Sequence, residues 1–136
     1  MALNAQQAWE KAGKGQAVIG WKLDRLQRNE LLQQFPPRFS EVVADHVTLA
    51  ARVSCGAQLP SEQHGEVVGC ADDGEGVEAL VVRIGGSTDR PDGSTYHITW
   101  SLSPGRRAKE SNDGIARLGW TPSELPLSLK LEPAKF

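Results

Sequence analysis

Residues 95–103 read "TYHITWSLS", and their alternation decides how the chain folds. Tyr96, Ile98, Trp100 and Leu102 are apolar, whereas His97, Thr99, Ser101 and Ser103 between them are polar. Successive side chains on a strand point to opposite faces, so this pattern predicts a half-buried β-strand with its apolar set on a core. The other face then carries a histidine and a threonine two residues apart. The same unit recurs in "DHVTLAARV", where His46 and Thr48 share one face and Val47 and Leu49 point to the other. If the two strands are neighbours or near neighbours, two imidazoles and two hydroxyls converge on one cleft.

The segments around these strands predict an α+β domain with a mainly antiparallel sheet and two or three helices. "QAVIGWKLD" places Ala17, Ile19, Trp21 and Leu23 on one face of a strand. "RLQRNELLQQF" follows with Leu26, Leu31, Leu32 and Phe35 near helical spacing, Asp24 as its cap, and Pro36 and Pro37 as its stop. "GEVVGCA" and "VEALVVRI", separated by the turn-rich "DDGEG", read as a β-hairpin whose second arm is apolar on both faces and therefore central. "GGSTDRPDGST" is a loop of the kind that borders a site, and "PGRRAKESNDG" is another, with Ser111 expected to cap a short helix in "NDGIARLGW". "PLSLKLEP" reads as a last strand. Residues 1–15 read as a short helix or a tail, before a single domain over residues 16–136.

Composition narrows the partners. The 136 residues suit one domain with a sizeable core. With 15 Lys+Arg against 17 Asp+Glu, the net charge of −2 argues against a broad grip on duplex DNA or on an anionic membrane, so contact with phosphate is expected to be local. Cys55 and Cys70 read as ordinary thiols of a reducing compartment. No signal-peptide core and no run of about 18 apolar residues is present, and the expected location is the cytoplasm.

Two imidazoles beside two hydroxyls suit a phosphodiester. One neutral imidazole takes a proton from water while a protonated one gives a proton to the leaving oxygen, and histidine's ordinary pKa near ~6.5 makes both states accessible at neutral pH. Threonine hydroxyls can donate to non-bridging phosphate oxygens. This chemistry requires neither metal nor cofactor. A 2′,3′-cyclic phosphate, whose leaving group is a ribose hydroxyl, fits it.

Paired H-x-T units on the strands of a small α+β domain resemble the two-histidine (2H) phosphoesterases, among them RNA cyclic phosphodiesterases, RNA-ligase-associated domains and phage proteins that degrade cyclic oligonucleotide signals. The family pattern, His-x-(Ser or Thr) followed by an apolar residue, matches at His46, Thr48 and Leu49 and again at His97, Thr99 and Trp100. The resemblance implies catalytic roles for His46 and His97, phosphate-binding roles for Thr48 and Thr99, and a nucleotide or RNA end as substrate. The two motifs lie closer in sequence than is usual for the family, which implies that one connecting lobe is short or missing. The expected activity is metal-independent hydrolysis of a 2′,3′-cyclic phosphate or a related small RNA-derived phosphodiester. The competing expectations are a non-catalytic module that binds a nucleotide or RNA end in the same cleft, and a structural domain with a polar sheet face.

Other residues carry weaker signals. Arg52 shares the face of His46 and Thr48 if its strand stays regular, which makes it a candidate phosphate ligand, and Lys22 shares the non-core face of the first strand. Arg106, Arg107 and Lys109 of "GRRAK" could meet a flanking phosphate, although most short basic runs are solvated loops. Tyr96 and Trp100 read as packing residues. His64 sits in a loop beside Gly65, and no Cys-x-x-Cys or His-x-His spacing supports zinc held by His46, His64 and His97. Neither a GxxxxGK[ST] phosphate loop nor a GxSxG nucleophile elbow occurs.

Overall fold

The computed structural model describes residues 2–136, apart from the side chains of residues 124 and 125. Its elements, in chain order, are α1 (Ala5–Glu10), β1 (Ala17–Leu23), α2 (Arg25–Gln34), β2 (Glu41–Val42), β3 (His46–Val53), β4 (His64–Asp72), β5 (Val77–Arg83), β6 (His97–Leu102), α3 (Glu110–Leu118) and β7 (Thr121–Lys135). The fold is α+β, and all strand pairings between these elements are antiparallel. The strands follow one another as β6-β3-β1-β7-β4-β5, and β5 returns to β6, so six strands close a barrel and β2 adds to β6 beside β3. Closure satisfies edge N–H and C=O groups that an open sheet would expose. No helix among the described residues is long and apolar enough to cross a membrane.

The barrel interior is built from the apolar sets seen in the sequence. Ile19, Trp21, Val47, Leu49, Ile98 and Trp100 are essentially inaccessible to solvent and meet Leu80, Val82 and Leu129 in one cluster. Burying an indole leaves its N–H to satisfy. Trp21 Nε1 donates to the Glu62 carbonyl at 2.9 Å, and Trp100 Nε1 to the Phe35 carbonyl at 2.8 Å. Tyr96 packs edge-on against Trp21, with ring centroids 5.8 Å apart. The β5 strand is central, as its double-sided apolarity requires. One face enters the barrel, while Ala79 and Val81 on the other lie under Ile115 of α3 in a second cluster.

Of the two forms expected for the N-terminal segment the helix is the one present, closed by reciprocal Asn4–Gln7 capping, and Leu3, Ala5, Ala8 and Ala12 join the main core. Other elements differ from their sequence reading in part. Asp24 caps α2 through Gln27 N–H at 3.0 Å, but Leu26 is 78 % exposed. Leu26 lies five positions before the buried Leu31, which on a helix turns the two side chains about 140° apart. Ser111 does not cap α3. It lies within the first turn, buried, with its hydroxyl turned to Thr99, and Lys109 holds the cap position without a side-chain bond. The last strand is longer than its apolar stretch, spanning Thr121–Lys135 and pairing with both β1 and β4.

The β1–β3 pair carries two register shifts, between Ala17 and Ile19 and between Ile19 and Gly20. Gly20 faces the backbone of residues 47–49 so closely that an added Cβ would fall on the Val47 carbonyl oxygen. Gly20→Ala is therefore expected to destabilise the fold by about 1–3 kcal/mol through overpacking against backbone. Chemical denaturation of the variant beside the parent protein measures this, and an unchanged midpoint would contradict the close approach.

Candidate functional site

The two H-x-T units meet on the outer face of the barrel. A single antiparallel bridge, Val47 with Ile98, joins β3 to β6. Both bridge residues are fully buried, so the residues flanking them turn outward into a cleft of about 280 Å³. His46, Thr48, His97 and Thr99 all line it, together with Val18, Ala51, Arg90, Ala108, Lys109, Asn112 and Phe136. Two imidazoles and two cations are in this lining, and no acidic side chain is.

The histidines occupy different surroundings. The bend before His46 is held by α2: Arg28 donates to the carbonyls of Ala44 at 2.6 Å and Val43 at 3.2 Å, and Arg25 donates to that of Asp45 at 3.1 Å. Ala44, at φ 43°, turns the chain there. His46 Nδ1 lies 3.1 Å from Asp45 Oδ2, a contact that a regular strand would not allow between adjacent residues. The Phe136 ring packs on His46 with centroids 4.6 Å apart. Burial alone would raise Asp45, but Lys22 at 2.5 Å, His46 and Arg25 at 3.2 Å outweigh it and lower the carboxyl to about 2. Asp45 is thus a carboxylate at neutral pH, fixed beside the His46 ring.

His97 has no carboxylate partner among the described residues. Its Nδ1 lies 2.9 Å from the Thr95 carbonyl. A carbonyl only accepts, so Nδ1 carries the hydrogen and the neutral ring presents the Nε2 lone pair. Burial pushes the His97 pKa below its ordinary 6.5, and the charges of Arg90 and His46 push the same way against the Thr95 hydrogen bond.

The hydroxyls also differ. Thr48 has no hydrogen-bond partner among the described residues. Thr99 is 7 % exposed, and its Oγ1 lies 2.9 Å from Ser111 Oγ and 3.3 Å from the Ala108 carbonyl, so it is tied to the start of α3.

Of the remaining sequence candidates, Arg52 does not line the cleft. The strand is irregular at this point: Arg52 has φ 56°, the register shifts beside it, and Ala51 takes the cleft position. Lys22 is on the outer face but bound to Asp45. Of the basic residues of "GRRAK" only Lys109 lines the cleft, while Arg106 is held by Asp73 at 2.6 Å and by Glu110. His64 opens strand β4 instead of lying in a loop, pairs with Lys130 of β7 and is not in the lining. No group of three or more His, Cys, Asp or Glu residues among the described residues could hold a metal ion. Cys55 and Cys70 are free and exposed.

Sequence reading misses Arg90, Asn112 and Phe136 in the lining, and Asp45 beside His46 but outside it. Arg90 does carry a signal, because "GGSTDRPDGST" reads as a loop of the kind that borders a site. Phe136 carried none: it arrives by pairing its backbone with Val18 in both directions, at 2.8 and 3.1 Å. Comparison with protein-family models, with curated proteins and with solved structures gave no match for this chain.

The asymmetry is measurable. In an NMR titration His97 is expected to change charge below pH 6.5 with Nδ1 as its protonated nitrogen. Arg90→Gln should move that transition upward, because one of the cations disfavouring the imidazolium is gone while burial remains. A His97 titrating above 6.5 would contradict the described environment.

Proposed function

We propose that the cleft is the active site of a phosphoesterase of the 2H type, hydrolysing a 2′,3′-cyclic phosphate or a related small RNA-derived phosphodiester. The observation that carries this reading is the lining itself: two imidazoles and two cations with no acidic side chain, on a chain whose net charge is −2. Such a cleft favours an anion over the rest of the surface.

The chemistry assigns opposite roles to the two rings. His97, neutral and with Nε2 unprotonated, is the general base that takes a proton from water as the water oxygen bonds to phosphorus. His46, whose positive charge Asp45 can pair, is the general acid that delivers a proton to the ribose oxygen as the P–O bond to it breaks. The proton removed by His97 and the one given by His46 balance, leaving a phosphate monoester and a free hydroxyl. Thr48 donates to a non-bridging oxygen, where negative charge accumulates. No metal takes part in these steps.

Thr99 supports a second reading, a non-catalytic module for a nucleotide or RNA end in the same cleft. Its hydroxyl already has two partners, so one threonine rather than two is free to hold phosphate.

Single-turnover kinetics on 2′,3′-cyclic nucleotides and cyclic-phosphate RNA ends separate these readings. His46→Ala and His97→Ala are each expected to slow turnover by roughly 10²–10⁴-fold, with the double variant losing far less than the product of the two. Full turnover in either variant, or tight binding without turnover in the parent protein, would sink the catalytic reading. Chelator should leave the rate unchanged, and loss restored by added zinc would refute the metal-free step.

The threonines should behave differently from one another. Thr48→Val is expected to slow the reaction by up to about 10²–10³-fold without changing the melt. Thr99→Val strands the buried Ser111 hydroxyl and should cost about 1–3 kcal/mol of stability. Equal kinetic losses with unchanged melts in both variants would contradict this division.

A further inference from the structure

Arg90 is under-compensated. It is 7 % exposed, its Nε is buried without a hydrogen-bond partner, and its ion pair, with Asp92 at 3.4 Å, is long. Asp92 is itself 41 % exposed, so much of its charge is spent on water. A guanidinium presents five N–H groups in a planar fork, and burying one with so few partners is costly unless an anion completes it. The loop fixes it in place: Arg90 N–H donates to the Ser94 carbonyl at 2.7 Å, and Gly93 N–H returns to the Arg90 carbonyl at 2.9 Å.

Arg90 forms part of the wall of two hollows. The hollow on the far side also contains Glu62 and Asp89, which disfavour an anion. The other is the histidine–threonine cleft, which has no acidic side chain in its lining. Within that cleft Arg90 comes from the loop leading into β6 at His97, and Lys109 from the segment that follows β6, so two separate segments bring positive charge to the lining. A volume of about 280 Å³ also holds more than one phosphate group. Charge and room both extend beyond the reacting atoms.

We propose that Arg90 is a specificity residue which binds a second, non-reacting phosphate of the substrate, one nucleoside away from the phosphate that lies between His46 and His97. This rests on the phosphoesterase reading of the cleft. The second phosphate is either a terminal 5′-monoester or the diester joining a preceding nucleotide, and the shared chemistry is an anionic phosphate that a planar fork can grip.

The test uses three probes: adenosine 2′,3′-cyclic phosphate with a free 5′-hydroxyl, the same nucleotide with a 5′-phosphate, and a diadenosine dinucleotide ending in a 2′,3′-cyclic phosphate. In the parent protein kcat/KM is expected to be at least about tenfold higher for a phosphate-bearing probe than for the first. Preference for the second probe alone identifies the monoester, and preference for the third identifies the diester. Arg90→Gln should bring the ratio to within about twofold of one, and Arg90→Lys should keep part of it. Where the Gln variant fails to melt cooperatively, the Lys variant and the parent ratio still decide. A parent ratio near one, or a ratio unchanged in a folded variant, overturns the proposal. If no probe is turned over, the phosphoesterase reading fails, and calorimetry with adenosine 3′,5′-bisphosphate against adenosine 3′-monophosphate then judges Arg90 by itself. A tenfold preference for the bisphosphate that Arg90→Gln abolishes upholds its role, and equal affinities refute it.

Discussion

The backbone bridge between Val47 and Ile98 is the constraint on which the site depends. It closes the barrel between β3 and β6, where a single residue pair joins strands whose other neighbours are held by several. Ahead of it the backbone continues through bonds from Val43 and Ala44 to Trp100 and Thr99, and the two residues after Ala44 are inserted before pairing resumes at Val47. A barrel needs every seam closed, but a fully zipped seam would leave a flat outer face. Pairing the two apolar centres of the H-x-T units turns both sets of polar neighbours outward at the point where pairing is thinnest. The cleft is the consequence.

Identical motifs acquire unlike chemistry because different elements stand behind them. The arginines of α2 grip the carbonyls before His46, and the resulting bend brings Asp45 back onto the ring. His97 begins a strand that is paired on its other side to Val81 and is half-buried, under the influence of the Arg90 charge, with a carbonyl as its partner. One ring faces a carboxylate and the other a cation. For His97, burial first and then the nearby positive charge disfavour the charged ring.

The site is also where the protein tolerates unfavourable features. Ala44 holds positive φ in the bend before His46, Arg90 is buried with an incomplete set of partners, and Asn112 Oδ1, at the cleft wall, has none. Outside the cleft Glu62 Oε1 is also buried without a partner, whereas the Glu78 carboxylate accepts from Ser101 and Arg38, and Asp73 accepts from two backbone N–H groups and Arg106. Among the described residues, two of the three buried side-chain atoms without a partner, Arg90 Nε and Asn112 Oδ1, belong to residues of the cleft lining.

The sequence by itself determined which residues face the core, because period-two alternation is a local property of a strand. Ile19, Trp21, Val47, Leu49, Ile98 and Trp100 all read as core and all are buried, and the same alternation set His46, Thr48, His97 and Thr99 on the opposite face. Capping of α2 by Asp24 and the central place of β5 were legible for the same reason: the signals lie within a few residues of what they describe. Only the tertiary structure decided what depends on distant segments meeting. Barrel closure, the arrival of Phe136 and Arg90 at the cleft, and the capture of Thr99 by Ser111 join residues far apart in the chain, and no local period records them. Arg52 left its expected face because a register shift against β1 moved the strand out of phase, and Asp45 reached His46 because a bend held by α2 broke the alternation. Alternation assigns faces only while a strand stays regular, and whether it stays regular is settled by the elements packed against it.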